Sequence, residues 1–356
     1  MNRLLVVSNR LPVTVAKREE KIRYVPSAGG LATGLHSLSK SYQNIWLGWP
    51  GIAAERVKKE RAGIVHELAS RNCRPIFLNQ HDLEQYYHGF SNRTIWPLFH
   101  YFMQYATYNK NNWDTYKKVN QIFCKEVLQV AQPGDIIWVH DYHLMLLPQY
   151  IRNHLPDATI GFFLHIPFPS SEVFRILPCR KEIVKGLLGA DLLGFHTYDY
   201  AHHFLQTVRR LLGYEHNMTQ VSFDNRIIRV DAFPMGIDFN QFHRAAETNS
   251  VQREVQKIRK RVGERRVIVS IDRLDYTKGI PERLEAFDYF LDNNPQYREK
   301  VTLILVVQNR ARQARPRRQR AGRICLARVF PSWRLRRYRQ NVTGHRPAFV
   351  YQQLRP

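Results

Sequence analysis

The stretch VIVSIDRLDYTKGIPERLEAFDYFLDNNPQYREKVTLILVV, Val267 to Val307, places two apolar runs, Val267–Ile271 and Val301–Val307, on either side of an amphipathic segment. Within that segment Leu284, Phe287 and Leu291 recur at helical spacing, and Pro281 suits the first turn of a helix. Strand, helix and strand in this order predict one complete βαβ unit. Further apolar runs at Leu4–Val7, Ile136–Val139, Ile160–Leu164 and Leu192–Phe195 alternate with amphipathic segments. Turn residues punctuate them: Pro133-Gly134-Asp135 and Leu155-Pro156-Asp157 each precede a run. The chain therefore reads as α/β, parallel sheets covered by helices. At 356 residues it is long enough for two cores. The expected division is 1–232 for the first domain, 233–307 for the start of a second that opens near Phe233-Pro234-Met235-Gly236, and 308–356 for a tail of different composition.

That tail dominates the net charge of +24. From Gln308 to Pro356 there are 14 Arg and no Lys, Asp or Glu. Of 54 Lys and Arg in all, 40 remain in residues 1–307 against 30 Asp and Glu, a net +10, a moderate excess that suits anionic small molecules without demanding a polyanion. Two readings of the tail stand: an Arg-rich arm for polyanions, or out-of-frame translation past codon 307. The all-Arg, no-Lys bias suits a GC-rich wrong frame, so nucleic acid is not the expected partner and the tail is expected to lack regular structure. Cys73, Cys124, Cys179 and Cys325 lie far apart, without the close spacing of a zinc site or disulfide framework. No run approaches the ~18 apolar residues of a membrane span, and the N-terminus has no leader pattern. A cytoplasmic protein with no metal is the expectation.

Ligands of open α/β sheets collect where the strands end, so the residues that follow each run carry the functional reading. Ser8-Asn9-Arg10 follows the first run, and Ser27-Ala28-Gly29-Gly30-Leu31 opens a helix soon after. Paired glycines let backbone N–H groups approach a phosphate at a helix N-terminus, or simply make a turn; no Gly-Lys-Ser/Thr follows, so this is not a P-loop. His140-Asp141-Tyr142-His143 puts a carboxylate and two imidazoles at a strand end, as a site or as a satisfied structural network. His165 follows Ile160–Leu164, and Arg273 and Lys278 flank one loop after Val267–Ile271. Two cations on one loop can neutralise a departing diphosphate, or can be solvated surface charges. Tyr86-Tyr87 and Phe90 through Trp96 crowd aromatic and amide groups together, which suits a sugar-binding wall and equally an ordinary core.

In their order, VVSNRLPV, SAGGLATGL, WLGWPG, FSNRTIWPLFHY, IIWVHDYHLMLLP, IGFFLHIPFPSSEVFR, DLLGFHTYDY, FPMGID and DRLDYTKGIPERL resemble the blocks of the trehalose-phosphate synthase family of glycosyltransferases, from residue 1 to about 307. The resemblance implies the GT-B type, two Rossmann-like domains facing a cleft, the second incomplete in this chain. It implies glucose 6-phosphate contacts at Arg10, Tyr87 and Asp141, with Trp96 as a wall beside them. It implies donor contacts at Gly29, Gly30, His165, Arg273 and Lys278, and a catalytic set of Asp141, His165, Arg273 and Lys278. The implied substrates are a nucleotide-glucose and glucose 6-phosphate, with no cofactor and with homo-oligomers allowed. A smaller phosphorylated acceptor, as in glucosylglycerol-phosphate synthesis, is the sister specificity; a non-catalytic subunit with a polyanion-binding tail is the alternative of another class. The family's later donor-gripping carboxylates have no match here, and Arg310, close to where the family carries an acceptor-phosphate Arg, sits in a poorly matching context.

Overall fold

The computed structural model describes residues 3–18, 21–27, 44–308 and 324–327. Gly29, Gly30 and Arg310 lie outside the described residues. The chain forms two compact units, Met1–Asp238 and Phe239–Pro356.

In chain order the strands of the first unit are β1 (Leu4–Arg10), β2 (Val13–Arg18), β3 (Lys21–Pro26), β4 (Asn44–Trp49), β5 (Cys73–Pro75), β6 (Ile136–His140), β7 (Thr159–Phe163), β8 (Leu192–Phe195), β9 (His216–Asn217), β10 (Gln220–Phe223) and β11 (Arg226–Ala232). Nine of them form one sheet in the order β5-β4-β1-β6-β7-β8-β11-β10-β9. The pairs from β5 to β11 are parallel, and the last two strands add an antiparallel edge. β2 and β3 make a separate hairpin.

Burial on both faces explains why the parallel strands read as continuous apolar runs. On β1, Leu5 and Val7 enter a core that contains Trp113, Tyr116, Phe123 and Val127 of the Lys110–Val130 helix. Leu4 and Val6 point the other way, into a smaller core with Ile64 and Leu68 of the Arg61–Ala69 helix. This is the period-2 alternation of a strand with both faces covered. The strand order also places a reversal at the site: β4 lies on one side of β1 and β6 on the other, so the crevice between the ends of β1 and β6 is a topological switch point.

In the second unit β12 (Arg266–Arg273) runs parallel to β13 (Val301–Gln308) in register from Arg266↔Val301 to Arg273↔Gln308. The Ile280–Asn293 helix connects them, with a proline in its first turn. The βαβ unit is therefore as the sequence predicts. Four residues of the stretch expected to be irregular, Ile324–Ala327, form β14 antiparallel to β13. β13 is buried through Leu303, Ile304 and Leu305, whereas Val269 and Ile271 of β12 are 59% and 72% exposed.

Candidate active site

The site of the first unit is built from the residues that end β1 and β6. These strands pair directly, Ser8 opposite His140, so Arg10 and Asp141 sit at adjacent strand ends on either side of the switch point. Asp141 leaves the strand with a backbone φ of 75°, a left-handed conformation that aspartate tolerates better than most side chains. Its N–H donates to the Phe163 carbonyl at 2.8 Å, and its Oδ1 accepts from the His165 N–H at 3.2 Å. Together these bonds tie the ends of β6 and β7 and fix the carboxylate.

Aromatic rings link the two sides. The Arg10 guanidinium lies 4.7 Å from the Trp49 ring centroid, a cation–π contact. Trp49 meets Tyr87 at 6.3 Å, and Tyr87 stacks on His143 at 5.5 Å with the planes 12° apart. His143 Nδ1 is 3.8 Å from Asp141 Oδ2. Tyr142, whose ring is 3.9 Å from that of His143, leads on to Trp96 at 5.8 Å. Arg10, Tyr87, Asp141 and Trp96 thus belong to one continuous network. Trp96 itself is buried, packed between Tyr142 and His100.

This network has a rigid support. The Leu83–Ile95 segment, which carries Tyr87, is wound as a π-helix, a form often seen at functional sites. Tyr86 beside it is fully buried and donates to Asn9 Oδ1 at 3.1 Å; burial pushes its phenol well above the usual tyrosine range. Tyr116 donates to the Tyr142 carbonyl at 2.8 Å and accepts from the Met145 N–H at 3.0 Å, which holds the His140–Leu146 loop against the core.

His165 stands at the other edge of the same crevice, after β7. Its Nε2 is 3.1 Å from Nδ1 of His140, and its ring is 5.7 Å from that of His196. Burial pulls the His165 pKa down to about 3, with the neighbouring imidazole of His196 adding to the fall. Burial first, and His165 second, hold His140 well below the ordinary histidine value. Both rings are neutral at pH 7, so they can exchange neutral hydrogen bonds and carry no charge into the site.

In the second unit Arg273 ends β12, and Lys278 ends the 3₁₀ turn Tyr276–Lys278. Asp275 caps that turn, accepting from the Thr277 N–H at 3.1 Å and its hydroxyl at 3.0 Å. Gly279, at φ 58°, then swings the chain into the helix. Arg283 reaches back, donating to Asp272 Oδ2 at 2.6 Å and to the Lys278 carbonyl at 3.0 Å. The two cations therefore share a braced loop of their own unit.

Trp49 is not singled out by the sequence, and His140 and His143 stand out there only as the two imidazoles of a strand-end cluster, without roles of their own. Their signal was a ring next to a strand end, which only contacts across the sheet convert into a role. Among the described residues no group of three or more His, Cys, Asp or Glu could hold a metal ion, and no helix is long and apolar enough to cross a membrane. Cys73, Cys124 and Cys179 are free and buried, and burial pushes the first two thiols up to about 11.

The glycosyltransferase family 20 model matches residues 2–324. The chain is 43% identical over 314 residues to the UDP-forming α,α-trehalose-phosphate synthase of Yarrowia lipolytica, covering 86% of this chain and 66% of that relative. A UDP-forming α,α-trehalose-phosphate synthase from Burkholderia xenovorans, solved in complex with glucose 6-phosphate, matches with TM-score 0.74 at 30% identity, over 87% of this chain and 67% of that one. The E. coli trehalose-6-phosphate structure bound with UDP-2-fluoro glucose matches with TM-score 0.75 at 29% identity, over 96% and 69%. The chain spans between about two fifths and two thirds of the length of such curated relatives. The expected GT-B class holds for the fold of these neighbours. A family match over most of its residues, joined to the site at the ends of β1 and β6, makes this chain a member of glycosyltransferase family 20.

Proposed function

We propose that the chain carries the acceptor site and the first part of the donor site of a retaining glucosyltransferase that joins glucose from UDP-glucose to glucose 6-phosphate, giving trehalose 6-phosphate. The observation that carries this reading is the pair Arg10 and Asp141 on adjacent strand ends, joined through Trp49, Tyr87 and His143. A guanidinium suits a phosphate, a fixed carboxylate suits sugar hydroxyls, and an aromatic face suits the apolar side of a hexose. Relatives with glucose 6-phosphate and UDP-2-fluoro glucose bound support the two substrate classes.

In the proposed reaction an acceptor hydroxyl oxygen bonds to the donor's anomeric carbon as the bond from that carbon to the diphosphate oxygen breaks. The acceptor proton passes to the departing phosphate on the same face of the sugar, so no protein nucleophile is needed. Arg273 and Lys278 are proposed to stabilise the charge that develops on the diphosphate. His165 is proposed to bond a donor hydroxyl, with Gly29 and Gly30 beside the phosphates and Trp96 behind the acceptor. Cytoplasmic location and homo-oligomers belong to the same proposal.

Calorimetric titration of the chain with glucose 6-phosphate should show binding that Arg10→Ala removes. A graft of residues 1–307 onto the matching remainder of the Yarrowia lipolytica relative, given UDP-glucose and glucose 6-phosphate, should release UDP and form trehalose 6-phosphate. Glycerol 3-phosphate at equal concentration separates the sister specificity. No product with either acceptor would sink the assignment.

A further inference from the structure

The pair His140–His165 holds information that the proposed chemistry does not use. His140 ends β6, is fully buried, and has the Trp138 ring 4.4 Å from its own. Its Nδ1 is 3.1 Å from His165 Nε2, while its Nε2 is buried with no hydrogen-bond partner among the described residues. Two neutral imidazoles share one proton along such a contact, so one nitrogen must donate and the other accept. The choice is settled at the far end of His140. If His165 donated, His140 would carry its own proton on Nε2, leaving a buried N–H without an acceptor. If His140 donates from Nδ1, its Nε2 is a bare lone pair, the less costly of the two unsatisfied states.

We infer that His140 is a positioning residue: it donates to His165 Nε2 and so locks His165 in the tautomer that bears its proton on Nδ1. The other contacts of His165 agree with a ring held for presentation. Its backbone N–H is bound by Asp141, and its ring packs on Phe163 at 4.6 Å and against the edge of His196 at 5.7 Å. Nδ1 has no partner among the described residues and the ring is only partly buried, so Nδ1–H is the donor left for a ligand. On the proposed function, that ligand atom is a hydroxyl of the donor hexose. A fixed donor is worth more to a positioned hydroxyl than a ring that samples both tautomers, because no reorganisation is needed when the ligand arrives. Histidines that act through a second ring or carboxylate follow the same logic in metal sites, where the outer partner sets the tautomer.

The test reads the tautomer directly, without substrate. Chain labelled with ¹⁵N in its histidine rings is observed by long-range proton–nitrogen correlation at pH 7.5, and His165 is identified by the signals lost in His165→Gln. The expected result is a protonated Nδ1 and a bare Nε2 on His165. His140→Asn, which keeps an amide donor where Nδ1 was, should preserve that pattern. His140→Leu should release it, moving the proton toward Nε2, the tautomer favoured by a free imidazole. A wild-type His165 protonated on Nε2 would overturn the assignment, and so would an unchanged pattern in His140→Leu. If the tautomer is as expected and the grafted enzyme still makes no trehalose 6-phosphate, the proposed function fails while the role of His140 stands.

Discussion

Asp141 shows what a single residue is asked to do. Its left-handed backbone costs on the order of 1–3 kcal/mol, held by bonds to Phe163 and His165. Asparagine tolerates the same φ and keeps an oxygen for the His165 N–H, so Asp141→Asn should fold with little change in melting temperature. It should nevertheless weaken glucose 6-phosphate binding by roughly tenfold or more, because a charged acceptor contributes about 1.5–3 kcal/mol; calorimetry of the folded variant decides this. Arg10→Ala should raise the acceptor KM of the grafted enzyme more than the donor KM, whereas Arg273→Ala should cost about 3 kcal/mol of transition-state stabilisation. Equal effects on both substrates would undo that division. The buried histidines set a pH dependence. With His165 at about 3 in the folded chain and near 6.5 unfolded, the unfolded chain binds the extra proton between these values. The contribution is complete above about pH 6.5 and is lost as pH falls, by up to ~1.4 kcal/mol per pH unit. Urea midpoints at pH 7.5, 6 and 5 should therefore decline, and His165→Gln should make the decline shallower.

At the scale of elements, two glycines differ in how closely a neighbouring element approaches them. A Cβ on Gly189, just past the Arg180–Leu187 helix, would lie 2.2 Å from Gln149 N and 2.4 Å from its Cα, both backbone atoms of the Leu147–His154 helix. That helix follows the His140–Leu146 loop and cannot yield without moving it. Gly189→Ala should cost about 1–3 kcal/mol in chemical unfolding. Gly63, inside the Arg61–Ala69 helix, meets nothing within 4 Å, and Gly63→Ala should instead stabilise by about 0.5–1 kcal/mol. A loss at both positions would show that the difference is not one of packing.

Across the whole molecule the two units differ in how well their strands are covered. β1 has both faces in cores, while β12 leaves Val267, Ile268, Val269 and Ile271 exposed and, among the described residues, pairs on one edge only. Such strands are low in local stability and prone to association. Hydrogen exchange followed by mass spectrometry should find β12, the Ile280–Asn293 helix and β13 exchanging well before β1, β6 and β7. For the same reason the 356-residue chain by itself should release no UDP from UDP-glucose, and robust turnover by it would show that the second unit is sufficient as it stands.

The sequence by itself determined the class of fold and most of the parallel strands. All six apolar runs became strands; those of the first unit announce themselves without context because a strand covered on both faces must be apolar at nearly every position, whereas β12 is as apolar and yet leaves Val267, Ile268, Val269 and Ile271 exposed. Arg10, Asp141, His165, Arg273 and Lys278 were legible as candidates for a related reason: each follows such a run, and the ends of parallel strands are where an open sheet accepts ligands. β4 was not read as a strand, since Asn44, Trp46, Gly48 and Trp49 blur its pattern, and the three-residue β5 and the β9–β10 edge are too short for any period to show. The tertiary structure alone decided that β1 and β6 are neighbours, that Trp49 and His143 join Arg10 to Tyr87 and Asp141, and that His140 meets His165. Those relations depend on which strand lies beside which. Strand order is set by packing and crossover connections over more than a hundred residues, and local composition carries no record of it.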